Sequence, residues 1–313
     1  MLSVSQIFTA LLLFYQYYEL LFKNQHYCAM KKIKIIVVTL LGFSNIAISQ
    51  NSYSGTVFEE NSTTPIPYAI VKVQNKNIGV VSNESGKFNL SDNRIENSDT
   101  LTITCLGYKP KSVSVKDWNN DLAIYMMANP IQLNEATISA KRSKEIKIGI
   151  TNGGTKTLFI PLFTKKEYSN NNLIGREIGT IFNIEKSCSI KGIHIFVASN
   201  KYDSIKMRAI FYSVENGLPK DIIVNRDIIF SVSEKKGWVN IDVSKHNIRL
   251  IEGQQIALTL MTLDETNKDQ FFIYAKMVSK NGLLRRDKAL GEWKKSKGGM
   301  SIYLSGFSTY KNN

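Results

Sequence analysis

The strongest constraint in this sequence is a two-residue alternation of apolar and polar side chains. It is carried in short runs that recur at roughly ten-residue spacing and are separated by Gly, Pro, Asn or Asp clusters. Successive side chains of an extended strand point to opposite faces, so such runs bury one face and wet the other. Ala69, Val71 and Val73 share a face from which Lys72 points away, and Leu101, Ile103 and Cys105 share another that excludes Thr102 and Thr104. Ser82 to Phe88 reads as a hairpin turn in which Gly86 takes a positive φ. Pro65 and Pro67 stiffen the entry to the next strand, where a missing N–H is tolerated. No long helical period competes with this pattern, and the expected class is all-β.

The runs fall into two groups. Residues 50–139 hold the first. After a charged stretch from Lys141 to Lys147 and a Gly/Asn/Lys-rich stretch to Asn172, read together as linker and loop over 140–172, a second group fills 173–313. Its expected strands are Glu177–Ile184, Ile190–Ala198, Lys206–Val214, Arg226–Val232, Gly237–Val243, Gln255–Thr262, Phe271–Val278 and Met300–Phe307. Strands of this length without helices predict a two-sheet, jelly-roll-like β-sandwich.

Within the first group, Ser54-Gly-Thr-Val57, Pro65 to Val73, Gly79 to Phe88, Ser98 to Lys109 and Leu133-Asn-Glu-Ala-Thr137 follow in an order that closely resembles the carboxypeptidase regulatory-like domain. The resemblance implies a seven-stranded transthyretin-like sandwich that serves as a structural or interaction module and not as a catalyst. It also implies a Gram-negative envelope setting, and Gly107-Tyr108 as a packing element at a strand end. Ile190 to Leu263 resembles, more loosely, the domains that accompany this module in envelope proteins, jelly rolls often used as carbohydrate-binding modules.

The amino terminus agrees with export. Met30 to Gln50 has a Lys-rich start (Lys31, Lys32, Lys34), an apolar run from Ile35 to Phe43, and small residues Ala47 and Ser49 before Gln50, the pattern of a cleaved secretory signal. Residues 1–49 are therefore expected to be an upstream segment and signal peptide, with translation starting at Met30. An uncleaved anchor over Leu2 to Phe22 is the alternative. The expected location is the periplasm or outer membrane. Cys105 and Cys188 fall in different domains and read as small buried hydrophobes rather than a bridge.

Net charge is +14, and its distribution decides what it means. Residues 50–139 carry 7 Lys+Arg against 9 Asp+Glu, whereas 140–313 carry 29 against 16. The positive half favours acidic partners: an anionic glycan, lipopolysaccharide or an acidic face of an outer-membrane protein. A solvated lysine surface is the plainer account. Nucleic acid is not expected, because no helix-turn-helix or finger pattern is present and export removes the chain from it.

Catalytic signatures are missing. His194 and His246 begin no HxxE motif, so the zinc chemistry in the family's name does not transfer. His194 reads as a structural mid-strand residue. GxSxG, P-loop, GxGxxG and Cys/His metal spacings are absent. No cofactor or metal site is expected, and Asp264-Glu265 with Asp269 read as a solvated turn. The leading expectation is a non-catalytic envelope binding or scaffold protein. A glycan hydrolase with dispersed carboxylates is the alternative. Trp238 shares its parity with Asn240 and Asp242, opposite Val239, Ile241 and Val243, and so belongs on a polar face. There it is either a sugar-stacking platform beside amide and carboxylate, or cover for a sheet edge, the commoner outcome. Trp293, in a basic loop, stands between the same two readings.

Overall fold

The computed structural model describes residues 52–119, 121–129, 143–153, 157–161, 175–264, 271–276, 279, 281–287 and 291–308, with Leu12, Leu13 and Gln16 besides. The chain divides into two compact units, Met1–Gln50 and Asn51–Asn313. The signal-peptide reading and its alternative lie outside the described residues. Among those described, no helix is long and apolar enough to cross a membrane.

The second unit is all-β. Its first sandwich pairs a three-stranded sheet of β1 (Ser52–Glu59), β4 (Lys87–Ser91) and β7 (Leu122–Met126), in the order β4-β1-β7, with a four-stranded sheet. The latter holds β2 (Ile70–Val73), β3 (Gly79–Val81), β5 (Thr100–Thr104) and β6 (Lys111–Ser114), in the order β3-β2-β5-β6. These are the seven strands expected, and the alternation delivers the expected core: Ala69, Val71, Val73, Leu101 and Ile103 are all buried while Lys72 is not. Gly86 has φ +72°, and a Cβ there would meet the Val57 carbonyl oxygen at 2.7 Å, so both turn and packing demand glycine. Tyr108, beside Gly107 at φ +88°, is half-buried against this core.

The second sandwich is larger. One sheet contains β10 (Glu177–Asn183), β12 (Ile205–Glu215), β13 (Leu218–Ile222), β14 (Ile228–Val232), β17 (Gln255–Thr262), β19 (Leu283–Arg286) and β20 (Lys294–Ser296). The facing sheet contains β8 (Glu145–Gly149), β9 (Thr157–Pro161), β11 (Cys188–Asn200), β15 (Gly237–Asp242), β16 (Ile248–Leu250), β18 (Phe271–Lys276), β21 (Gly299–Met300) and β22 (Ile302–Ser308). The chain passes back and forth between the two sheets, from β10 to β11 to β12 and again from β16 through β17 and β18 to β19. The alternation carries the core, because each crossing turns a new apolar row inward. The stretch read as linker and loop contributes two of these strands. β8 adds to β22 and β9 adds to β18, since even short segments satisfy their backbone groups by pairing along an open edge.

Strands β10, β12 and β17 of the seven-stranded sheet are buried on both faces. Ile178, Phe182, Phe211, Leu258 and Leu260 point into the sandwich, while Ile181, Ile210, Tyr212, Ala257, Met261 and Leu284 point out. Tyr68 and Val81 of the first sandwich cover the outward set. Tyr68 sits at φ +57°, a conformation costly for a bulky residue, and its ring lies near Lys206 and Arg208, whose cationic groups are 5.7 and 5.9 Å from the centroid. Arg208 donates to the Tyr68 carbonyl (3.2 Å) and pairs with Asp227 (2.9 Å), and Lys206 pairs with Glu84 (2.7 Å). The two sandwiches therefore share an interior.

That sharing generates two predictions. Replacing Tyr68 by Ala empties the seam, and urea unfolding followed by tryptophan fluorescence should separate into two transitions where the parent gives one. Glu177 is fully buried, and its carboxylate is held by Arg286, by Thr259 Oγ1 at 2.7 Å and by Tyr212 OH at 3.2 Å. Glu177→Ala strands the Arg286 guanidinium, and should cost about 3–5 kcal/mol in denaturant titration. The double replacement Glu177→Leu with Arg286→Met should recover much of that loss.

Candidate binding face

The outer face of the eight-stranded sheet is built by alternation in three neighbouring strands. β11 sends Ile193, Ile195 and Val197 inward, which turns His194 and Phe196 outward. β15 buries Val239 and Ile241 and turns out Trp238, Asn240 and Asp242. β22 buries Ile302 and Leu304 and turns out Tyr303, Ser305 and Phe307. Strand register then sets side chains in rows. Tyr303, His194 and Asn240 are directly opposite one another, with Phe196 beside Trp238 in the next row. On the other side, Lys147, Ser305, Gly192 and Asp242 form a third row.

The rings lock together. His194 stacks on Tyr303 with centroids 4.1 Å apart and planes 7° from parallel. Trp238 meets Tyr303 edge-on at 5.0 Å and Phe196 edge-on at 5.1 Å, and Phe196 lies 5.0 Å from Tyr274. Edge and offset contacts suit the ring quadrupoles, and they fix orientation as well as add area. Both imidazole nitrogens of His194 are engaged, Nδ1 with Asn240 Oδ1 at 2.5 Å and Nε2 with Ser305 Oγ at 2.7 Å. Asn240 accepts through its oxygen, so its NH₂ group is left to donate on the exposed side. Lys147 Nζ stands 5.7 Å over the Tyr303 ring. Asp242 accepts from the Ser244 backbone N–H at 2.8 Å; that bond, then the Ser244 hydroxyl, holds its carboxyl below the usual range, with Lys191 and Lys245 nearby.

Gly192 makes this arrangement possible. β11 shifts register against β22 between Ile190 and Gly192, and a Cβ at 192 would fall 2.7 Å from Ser305 Oγ and 2.8 Å from His194 Nε2. Gly192→Ala should therefore part the His194–Ser305 pair and lower stability by about 1–3 kcal/mol. The check is denaturant unfolding together with the imidazole signals of His194 by NMR.

The sequence-derived candidates separate. Trp238 and Asn240 lie together on this face and are half-buried and exposed respectively, with exposed Asp242 one row away, partly committed to its own turn. Trp293 belongs to the other sheet. It is not an exposed loop platform but a half-buried ring 4.5 Å from the Arg286 guanidinium and 5.8 Å from Tyr212, covering the Glu177 network. The cause is electrostatic: a buried guanidinium gains a ring face where water is excluded. Burial also pushes the Tyr212 phenol far above its ordinary range, which keeps it protonated and able to donate to Glu177.

Sequence reasoning missed Tyr303, Phe196, Ser305, Gly192 and Lys147, and took His194 for a purely structural strand residue. The parity of Tyr303, Ser305 and Phe307 was readable, and so was a glycine inside a strand; the register joining them to Trp238 was not. Among the described residues, no group of three His, Cys, Asp or Glu side chains is arranged to hold a metal ion. Asp264 accepts from the Lys206 backbone N–H, while Glu265 and Asp269 lie outside the described residues. Cys105 and Cys188 are free thiols, each pushed up to about 11 by burial.

Comparison with known proteins bears on the first sandwich alone. No curated protein matches the sequence. Among solved structures, the cysteine protease and lectin-like domains of Cwp84, a surface layer associated protein of Clostridium difficile, align at 10% identity and TM-score 0.32, over 44% of this chain and 32% of that one. The infectious bursal disease virus Gx strain structure aligns at 12% identity and TM-score 0.19, over 82% and 63%. The chain thus spans less than two thirds of either neighbour, and likeness this low transfers neither fold nor function. The family-level match is specific: residues 53–138, the first sandwich and the segment after it, match the model of the CarboxypepD_reg-like domain, a non-catalytic module.

Proposed function

We propose that this chain is a non-catalytic binding protein of the bacterial cell envelope, and that the outer face of β11, β15 and β22 takes a sugar. The observation that carries the reading is the ring lattice of Trp238, Tyr303, His194 and Phe196 on a solvent-facing sheet, with the Asn240 amide at its border. Pyranose rings have an apolar face of C–H groups and a rim of hydroxyls. Half-buried aromatic rings match the first, and fixed amide and hydroxyl groups match the second. The regulatory-like sandwich agrees with a scaffold role, since modules of that family are not catalysts. The export pattern from Met30 to Gln50 supports the envelope setting.

Rigidity favours the same conclusion. His194 is fixed by two hydrogen bonds and a stacked ring, and Trp238 by two edge contacts, so little rotamer freedom remains to be lost on binding. The test is retention of the full chain in native gels containing envelope polysaccharide. Trp238→Ala should weaken binding by about tenfold or more, as loss of a central aromatic anchor does. Trp293→Ala should lower stability and leave the binding of the folded fraction unchanged. Equal retention of the parent chain and Trp238→Ala would remove the proposal.

A further inference from the structure

Phe307 is 37% exposed, large, and on the same outward parity of β22 as Tyr303. Four residues separate them, which along a strand is about 13 Å. Ser305 and Lys147 lie between, directly opposite one another across the β22–β8 ladder. Along β22 the face thus runs Tyr303, with His194 stacked on it and the Lys147 ammonium over its ring, then Ser305, then Phe307. The charge at its border is predominantly positive. Lys191 and Lys245 lie near Asp242, whose carboxylate Ser244 already engages, and Lys147 stands over Tyr303. At the far end Glu145 is the cross-strand neighbour of Phe307.

We infer that this face reads at least about four consecutive residues of a linear acidic glycan laid along β22, with one sugar ring on Trp238, an acidic substituent at the Lys147 ammonium over Tyr303, and a further sugar ring on Phe307. The inference rests on the sugar-binding reading above and gives it a polarity, a minimum length and a charge. Three features select this occupant. Trp238 lies one row beyond Tyr303, so its ring and Phe307 are more than four residues of strand apart, beyond the reach of one monosaccharide, and a single sugar engages one end alone. A lysine between them, with the serine hydroxyl beside it, supplies a cation and a hydrogen-bonding group where a carboxylate or sulfate would sit. The short-range polarity of the rows, apolar then polar then apolar, follows the alternation of ring faces and substituents along a polysaccharide, whereas a run of acidic peptide residues carries its carboxylates on flexible chains with no ring between them.

Calorimetric titration of the full chain tests this with linear uronic-acid oligosaccharides of one to six residues, drawn from galacturonate, glucuronate-containing and mannuronate series. Their carboxyl-reduced neutral counterparts and polyglutamate are titrated alongside. The parent chain should bind an acidic tetramer at least about tenfold tighter than the monomer and about tenfold tighter than the neutral tetramer. Phe307→Ala should erase the length gain while sparing the monomer, and Lys147→Ala should erase the acid preference while sparing the neutral tetramer. Phe307 and Lys147 are exposed, so neither variant removes core. If Trp238→Ala abolishes binding but length and charge prove irrelevant, the inference fails and the sugar-binding reading stands. If no oligosaccharide binds, or polyglutamate binds as well as the acidic tetramer and Trp238→Ala does not weaken it, both fail.

Discussion

The second unit depends on one sheet having two interiors. β10, β12 and β17 pair along nearly their full lengths, and both of their faces are out of water. A strand buried on both sides has no polar face to spend, which is why Gln255 to Thr262 reads as an almost continuous apolar run. It also means that any charge on the outward face must be satisfied by protein. Arg286, Tyr212 and Thr259 do this for Glu177, and Asp227 with the Tyr68 carbonyl does it for Arg208. The first sandwich thereby acts as part of the second one's core, and the seam is fixed by geometry as well as by area.

The opposite sheet solves a different problem. Among the described residues, its outward face carries rings that contact one another. Stacking of His194 on Tyr303 and the edge contacts of Trp238 keep apolar area at the surface in fixed positions, where isolated aromatic side chains would rotate freely. The bulge and glycine at 192 serve that end. They release the space that lets a histidine and a serine on adjacent strands meet, at the cost of local strand regularity. Order at the surface with only partial burial is what distinguishes this face from the rest of the fold.

Most of the fold could be read from alternation. The runs at 177–184, 206–214 and 255–262 recur in the structure within a residue or two, because each has an apolar row long enough to specify its own burial. Leu283–Arg286 escaped because two of its four residues are arginines, and only the Glu177 carboxylate across the ladder makes a buried arginine tolerable there. Glu145–Gly149 escaped for a related reason. An edge strand with Glu and Lys turned outward looks like a linker until the strand beside it is known. Of the candidate face, Trp238 and Asn240 were accessible through parity alone. Their partners belong to strands about forty-five and sixty-five residues distant, and pairing over such separations is a property of topology, which local sequence does not encode.

The two tryptophans show why parity is insufficient by itself. Trp238 and Trp293 each precede or begin a strand beside charged residues, yet one ring faces outward and the other covers a buried ion pair. Beneath Trp293 lies the Arg286 guanidinium, whereas the ring neighbours of Trp238 are Phe196 and Tyr303. The buried cations are arginines (Arg176, Arg208 and Arg286), and no lysine is buried among the described residues. A planar guanidinium can be bonded at its edge and stacked on its face, so it survives desolvation where a strongly hydrated ammonium does not. Each of these arginines is matched by a carboxylate (Asp287, Asp227 and Glu177), so the interior is close to neutral. The positive excess of residues 140–313 must then reside on the surface, and mainly on lysine. Composition alone could not separate these two populations. Once they are separated, Lys147, exposed over the Tyr303 ring, belongs to the surface population and Arg286, under Trp293, to the buried one.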